Sequence, residues 1–178
     1  MDRIKLHDQE FRLSIRPVQI RKAVGRIAEN INHDLAGKNP LFLSILNGSF
    51  MFTSDLLKQI KMNCQVSFIK LSSYHGAESS GIVTELIGLD ENIEGRHVII
   101  VEDIVDTGNT LENIVRQLNL HNPGDIKIAT LLLKPEVFNG IIHLDYVGME
   151  IPNDFIVGYG LDYNELGRNF EGIYKMVK

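Results

Sequence analysis

The sequence predicts an α/β fold in which a mostly parallel sheet is covered by helices on both faces. Short, continuously apolar runs at 41–46, 97–102 and 126–133 resemble strands that are buried on both sides. Between these runs, apolar residues recur at helical spacing. Because the 178-residue chain shows no internal repeat, low-complexity segment or interdomain linker, residues 1–178 are predicted to form a single domain.

The elements can be assigned in order along the chain. A helix is predicted over 17–35, because Pro17 suits a first turn and an apolar stripe runs from Ile20 to Leu35. Segment 72–81 is polar and glycine-flanked and is expected to form a long mobile loop. The other predicted elements are strands at 41–46, 65–71, 82–88, 97–102 and 126–133, helices at 51–60 and 109–121, and short strands near 144–148 and 155–159.

Composition narrows the class of function. The net charge is -5, with a pI near 5.7, whereas a general nucleic-acid binder is usually basic. The N-terminal residues lack the apolar core of a signal peptide, and no apolar run is long enough to span a bilayer. The protein is therefore expected to be cytoplasmic, with no membrane partner and no nucleic-acid partner.

A dense polar motif begins at the last residue of the predicted strand at 97–102. Glu102 and Asp103 are adjacent, Asp106 follows, and Thr107-Gly108-Asn109-Thr110 open the next predicted helix. The start of a helix offers free N–H groups that suit a phosphate, and carboxylates can accept hydrogen bonds from sugar hydroxyls or hold Mg²⁺. The motif therefore predicts a site for a sugar phosphate and a metal ion, whereas an ordinary helix cap explains fewer of these residues.

This turn resembles the phosphoribosyl-diphosphate signature of the type I phosphoribosyltransferases. Four more segments occur in the order expected of the hypoxanthine-guanine phosphoribosyltransferase family: LNGSFMF (46–52), SSYHGAESSG (72–81), LLLKPE (131–136) and EIPNDFIVGYGLDYNELGR (150–168). The resemblance covers about residues 40 to 170. It implies the type I phosphoribosyltransferase fold, with a mostly parallel central sheet flanked by helices and a small hood region.

The resemblance implies roles at the phosphate and ribose end of the site. Glu102 and Asp103 would contact the ribose hydroxyls and the metal region, and residues 106–110 (Asp106, Thr107, Gly108, Asn109, Thr110) would wrap the 5′-phosphate. Asn47 and Gly48 would bind pyrophosphate through backbone N–H groups. Position 47 is often Lys or Arg in this family, so Asn47 leaves a charged side-chain contact to pyrophosphate in doubt.

Further roles concern the metal, the base and closure of the site. Asp162 would bind a second Mg²⁺ and Arg168 the pyrophosphate, although a surface ion pair is an alternative for these two.

Asp106 would exchange a proton with N7 of the purine, and Lys134 would reach the 6-oxo group. Phe155 would stack on the base while the backbone of Ile156 and Val157 reads its edge. Ser73 and Tyr74 would lie in a loop that closes over the site. The resemblance thus implies that Glu102, Asp103 and Asp162 are the metal ligands.

The resemblance implies transfer of phosphoribose from 5-phosphoribosyl 1-diphosphate to hypoxanthine, and to guanine, with Mg²⁺ as cofactor and release of pyrophosphate. A homodimer or homotetramer is expected. Two alternatives come from other classes: a nucleic-acid-binding regulator that kept this fold, and a Mg²⁺ phosphatase. The acidic balance argues against the first, and the D-x-x-D spacing, in place of D-x-D, argues against the second.

Overall fold

The computed structural model describes residues 2–75 and 82–177, and within these it does not describe the side chains of residues 71–75 and 82–87. Three helices are present in the described residues: α1 (Pro17–Asp34), α2 (Phe50–Leu57) and α3 (Asn109–Asn119). The strands are β1 (Arg3–Leu6), β2 (Gln9–Ile15), β3 (Leu41–Ile45), β4 (Gln65–His75), β5 (Ile82–Ile87), β6 (His97–Val105), β7 (Asp125–Leu133), β8 (Tyr146–Glu150), β9 (Ile156–Val157) and β10 (Ile173–Met176). Among the described residues, no helix combines the length and the apolar character required to cross a membrane.

The central sheet has six strands in the order β5-β4-β3-β6-β7-β8. The five strands from β4 to β8 in this order are parallel, and β5 pairs antiparallel with β4. Parallel strands require crossovers: α2 lies in the connection from β3 to β4 and α3 in the connection from β6 to β7, whereas α1 precedes β3. The predicted α/β architecture is confirmed.

The core lies in two apolar layers, one on each face of the central sheet. On one face, Ile20, Val24, Ile27 and Ile31 of α1 are buried with residues of α2. On the other face, Leu111, Ile114 and Leu118 of α3 pack on the sheet. The apolar stripe predicted on the first helix is therefore the face that α1 buries.

Strands β1, β2, β10 and β9 form a second, antiparallel sheet in that order. Phe11 is fully buried in its small apolar cluster, beside Val157 and Tyr174. This sheet corresponds to the expected hood. Strands β1, β2 and β10 were not among the sequence-predicted elements, because short strands with one solvated face carry a weak apolar signal.

Two predicted boundaries were wrong in ways that affect the site. The predicted loop at 72–81 begins with strand, because residues 72–75 belong to β4 and pair with β5. Residues 76–81 lie outside the described residues. The predicted strand at 97–102 ends at Glu102, but β6 continues to Val105, so Asp103 also lies inside the strand rather than beyond its end.

Candidate functional site

A cleft of about 510 Å³ opens where β3 and β6 end and α3 begins. This is the edge at which parallel α/β sheets bind ligands. Its walls come from the end of β3 and from one continuous segment that joins β6 to α3. The lining residues are Ile45, Leu46, Glu102 to Leu111 and Asn113. All seven polar-turn residues predicted from the sequence, namely Glu102, Asp103 and 106–110, are in this lining.

Two adjacent carboxylates are buried in the floor of the cleft. Glu102 is 9% exposed and Asp103 is 6% exposed. Burial, and then the like charge of Asp103, raise the pKa of Glu102 well above its usual value. Burial also raises the pKa of Asp103, although the hydrogen bond with Glu102 and, to a smaller extent, the charge of Arg168 oppose that shift. Burial therefore disfavours the charged forms of both carboxylates. A hydrogen-bond donor or a cation that binds at this floor would stabilise those charged forms.

Gly108 forms the turn at which α3 starts. Its φ is 90°, a left-handed conformation that glycine adopts without cost, and it caps the N-terminus of α3. A Cβ at this position would lie 2.9 Å from Cε2 of Phe138, so the turn has no room for a side chain. The first N–H groups of α3 and the hydroxyls of Thr107 and Thr110 border the cleft, which is the arrangement that suits a phosphate.

A residue that sequence reasoning missed supports this turn from behind. The Asn139 backbone N–H donates to the Thr107 carbonyl oxygen at 3.1 Å, and its side-chain amide donates to Oδ1 of Asn109 at 3.0 Å. Asn139 also accepts a hydrogen bond from the Ile141 N–H at 3.0 Å. The loop after β7 therefore holds the phosphate turn in place, and no local sequence signal links the two segments.

Lys134 and Asp106 meet at one side of the cleft. Lys134 Nζ lies 2.8 Å from Asp106 Oδ1. The lysine is 8% exposed as a residue, whereas the Asp106 side chain is 55% exposed. The parallel pairing of β6 with β7, which reaches Val105 and Leu133, brings the two residues together directly after their strands. The ion pair presents one donor group and one acceptor group next to each other.

The turn that joins β3 to α2 contacts the carboxylate floor. Gly48 lies so close to Asp103 that an added Cβ would overlap the carboxylate. Beneath the turn, the buried Ser44 hydroxyl bonds with Ser49 at 2.6 Å and Thr53 at 2.7 Å. The Leu46–Asn47 peptide is cis, and Asn47 is exposed. The predicted pyrophosphate turn is thus fixed at its base and open at its tip.

The segment after β9 carries Asp162 and Arg168. Arg168 Nη2 lies 2.6 Å from Asp162 Oδ1, so the two side chains form an ion pair, each a little over one quarter exposed. Arg168 Nη1 also donates to the Gly160 carbonyl oxygen at 2.7 Å. Neither residue lines the cleft at β6, but Gly160 lies against the Gly48 carbonyl group. The loop therefore reaches the site through the 46–49 turn.

The predicted base-binding residues lie on the hood. Phe155 is 48% exposed and makes an edge contact with Tyr163, with ring centroids 5.8 Å apart. Ile156 and Val157 form β9, which is an edge strand of the four-stranded sheet. An edge strand has backbone groups available on one side, and the half-exposed Phe155 ring offers a face for stacking. Ser73 and Tyr74 belong to β4, and their side chains are not described.

Magnesium was expected at Glu102, Asp103 and Asp162. No group of three or more acidic, histidine or cysteine side chains suited to a metal occurs among residues 2–75 and 82–177. Mg²⁺ commonly uses one or two carboxylates with substrate oxygens, and the buried pair of Glu102 and Asp103 fits that chemistry. The carboxylate of Asp162 already accepts from Arg168 and from the Glu165 N–H. The pair in the floor is therefore the better fit to the ion.

Comparison with known proteins gives a consistent picture. A family model described as the phosphoribosyl transferase domain matches residues 17–164. The chain is similar to the hypoxanthine-guanine phosphoribosyltransferase of Streptococcus pyogenes, with 46% identity over 153 residues, covering 84% of this chain and 85% of the relative. A crystal structure of a hypoxanthine-guanine phosphoribosyltransferase from Bacillus anthracis is 36% identical, with a TM-score of 0.84, and covers 98% of this chain and 100% of that chain. A hypoxanthine phosphoribosyltransferase from Staphylococcus aureus is 37% identical, with a TM-score of 0.82 and coverage of 93% and 90%.

Proposed function

Because this chain belongs to the hypoxanthine-guanine phosphoribosyltransferase family, we propose that it is a purine salvage enzyme. It transfers phosphoribose from 5-phosphoribosyl 1-diphosphate to hypoxanthine and guanine. The products are the nucleoside monophosphate and pyrophosphate. No specific observation favours a nucleic-acid-binding regulator.

The ion pair between Lys134 and Asp106 carries this proposal. The 6-oxo oxygen and N7 are neighbouring atoms on the same edge of a 6-oxopurine. A lysine ammonium is a donor only, and a carboxylate is an acceptor only. With the two groups 2.8 Å apart, Lys134 can donate to the 6-oxo oxygen while Asp106 accepts the proton carried on N7.

The rest of the cleft suits the sugar phosphate. A purine nitrogen bonds to C1 of the ribose, the bond from C1 to the diphosphate oxygen breaks, and the electron pair leaves with pyrophosphate. The ribose ring gains positive charge during this exchange, and Glu102 and Asp103 are placed to stabilise it. Residues 107–110 bind the 5′-phosphate, and the backbone at Asn47 and Gly48 binds the leaving group together with Arg168.

We propose Mg²⁺ as the cofactor, held at Glu102 and Asp103 with oxygens of the substrate, and a second ion at Asp162. When bound, Mg²⁺ neutralises charge on the diphosphate group. The cytoplasmic location, the single domain over residues 1–178 and the closing role of Ser73 and Tyr74 stay predictions.

A homodimer or homotetramer is also proposed. Val66 and Phe68 on β4 are each 43% exposed, and Phe50 at the start of α2 is 41% exposed. Exposed apolar residues on neighbouring elements are typical of a subunit contact. Sedimentation of the wild type and of Phe68→Glu would test this assignment, since a monomeric wild type would contradict it.

The activity is tested with a panel of bases. Purified protein is incubated with 5-phosphoribosyl 1-diphosphate, Mg²⁺ and hypoxanthine, guanine, xanthine or adenine, and nucleotide formation is measured. We expect turnover with hypoxanthine and guanine and almost none with adenine. The absence of nucleotide formation with every base would contradict the proposed function.

A further inference from the structure

Three consecutive residues between β9 and Asp162 adopt left-handed backbone conformations. The φ values are 100° at Gly158, 50° at Tyr159 and 102° at Gly160. Glycine adopts this region readily, but a bulky residue such as tyrosine seldom does. Strained residues of this kind persist only where the surrounding structure holds them, and they concentrate at functional sites. Tyr159 is such a residue, with a positive φ between two glycines.

Tyr159 is anchored on α2 by packing and by one hydrogen bond. The residue is 4% exposed and belongs to the same apolar cluster as Phe52 and Leu56 of α2. Its hydroxyl donates to Oδ2 of Asp55 at 2.8 Å. Burial, followed by the bond to Asp55, raises the pKa of Tyr159, so the hydroxyl keeps its proton and remains a donor.

This anchor lies where two parts of the site meet. Helix α2 begins directly after the 46–49 turn, and Asp55 lies on that helix. Gly160, the neighbour of Tyr159, lies so close to the Gly48 carbonyl oxygen that an added Cβ would overlap it. Arg168 donates to the carbonyl oxygen of Gly160. A shift at Tyr159 would therefore move Gly160, and with it both the turn and Arg168.

We propose that Tyr159 and Asp55 are positioning residues that hold the 158–168 loop against the 46–49 turn. The pair keeps Arg168 and the backbone of Asn47 and Gly48 directed at the same diphosphate group. Neither side chain of the pair is assigned to touch the substrate. The inference rests on the proposed function, because the diphosphate is the ligand that the two segments share.

The first test is Tyr159→Phe, which removes a single oxygen atom and keeps the packed ring. Loss of one hydrogen bond changes an equilibrium by roughly tenfold. We expect up to about a tenfold rise in the KM for 5-phosphoribosyl 1-diphosphate and in the inhibition constant of pyrophosphate. The KM for hypoxanthine should change less, because Lys134 and Asp106 follow β7 and β6 and lie outside the 158–168 loop.

Tyr146→Phe provides a matched control. Tyr146 is also 4% exposed, and its hydroxyl donates to an aspartate, Asp34, at 3.0 Å. That bond joins β8 to the end of α1, outside the residues that line the cleft. Both variants should lose similar thermal stability, but only Tyr159→Phe should weaken diphosphate binding. Equal effects of the two variants on the KM for 5-phosphoribosyl 1-diphosphate would overturn the proposal.

Substitutions of Asp55 complete the test. Asp55→Asn retains a carbonyl oxygen that can accept from Tyr159 and should stay near the wild type, whereas Asp55→Ala should resemble Tyr159→Phe. The double variant Tyr159→Phe/Asp55→Ala should be no worse than either single variant if one hydrogen bond carries the effect. Additive losses would contradict the pair. Wild-type protein that forms no nucleotide would instead contradict the proposed function, so the two failures are distinguishable.

Discussion

The two sides of the proposed site are built in different ways. One side, from Glu102 to Thr110, is a continuous segment in which a strand, a turn and a helix start supply every group. The other side combines the 46–49 turn with the 158–168 loop, which come from distant parts of the sequence and meet at Gly48 and Gly160. The first side therefore depends on local chemistry, whereas the second depends on tertiary contacts. Substitutions should separate the two. On the first side, changes at Asp106 or Lys134 should impair the chemical step or base choice, and changes to the phosphate turn should weaken binding of the 5′-phosphate. Changes on the second side should impair diphosphate binding.

The largest effect is expected at Asp106. Asp106→Asn keeps the size of the side chain but cannot accept the purine proton, and general acid–base groups contribute roughly 10²–10⁴-fold to rate. We expect kcat to fall within that range while 5-phosphoribosyl 1-diphosphate still binds. Asp90→Asn, at an exposed aspartate between β5 and β6, is the control. A decrease in kcat of less than about tenfold would exclude Asp106 as the base.

Lys134 should control which base is used. Its ammonium can pair with a 6-oxo oxygen but not with the 6-amino group of adenine, and a site built for one polar partner can reject a mismatched one by about 10⁴–10⁵-fold. Lys134→Met should lower kcat/KM for hypoxanthine by about 10–100-fold, as expected for loss of a hydrogen bond to a charged group, and narrow the gap to adenine. Lys127→Met, on β7, which ends just before Lys134, and paired with Asp145, is the control. Comparable wild-type kcat/KM values for adenine and hypoxanthine would contradict the role of Lys134.

The buried carboxylate of Glu102 should lower the thermal stability of the protein at neutral pH. An acid with a raised folded-state pKa binds its proton more tightly in the folded chain than in the unfolded one. Its contribution therefore makes folding less favourable as pH rises above the ordinary value of 4.5 and through the folded value. Glu102→Gln should raise Tm at neutral pH by a few degrees, since about 1 kcal/mol shifts Tm by roughly 2–4 °C at this size. The gain should vanish as pH falls toward 4.5. A lower Tm at neutral pH would mean that the charged carboxylate is stabilised in the fold.

These contrasts also explain what the sequence could predict. The Glu102–Thr110 segment was recognisable because its groups are consecutive, and the alternation of apolar runs and helical stripes predicted the central sheet. The predicted end of β6 was wrong. The carboxylates interrupt the apolar run and therefore predicted the end of the strand, but both are buried and the strand continues beyond them. The anchors on the second side, such as Tyr159 on Asp55, depend on contacts between segments that no local pattern connects. Asn139, which supports the continuous side from a distant loop, was missed for the same reason.

Asn139 shows that even the continuous side has one distant support. Asn139→Ala removes the donor to Asn109 and should raise the KM for 5-phosphoribosyl 1-diphosphate by about five- to tenfold, the effect of one hydrogen bond. Asn92→Ala is a matched control, because the Asn92 side chain accepts from the N–H two residues later, as that of Asn139 does, at the same 3.0 Å. An unchanged KM in Asn139→Ala would mean that the phosphate turn holds its shape without this contact.

The smallest effect is expected at Asn47, at the tip of the second side. Asn47 is exposed, so Asn47→Lys should be accommodated without disturbing the buried hydroxyls of Ser44, Ser49 and Thr53 below the turn. If the new ammonium faces the diphosphate, pyrophosphate inhibition should tighten by a few-fold at most, because solvent and salt screen an exposed charge. Inhibition constants measured at low and high ionic strength check this origin, since an electrostatic gain should diminish with salt. Asn47→Gln, which lengthens the side chain without adding charge, is the control. An unchanged inhibition constant in Asn47→Lys would show that this turn binds pyrophosphate through its backbone alone. The backbone position of the 46–49 turn would then determine how tightly pyrophosphate binds. The contact between Gly48 and Gly160 helps to set that position.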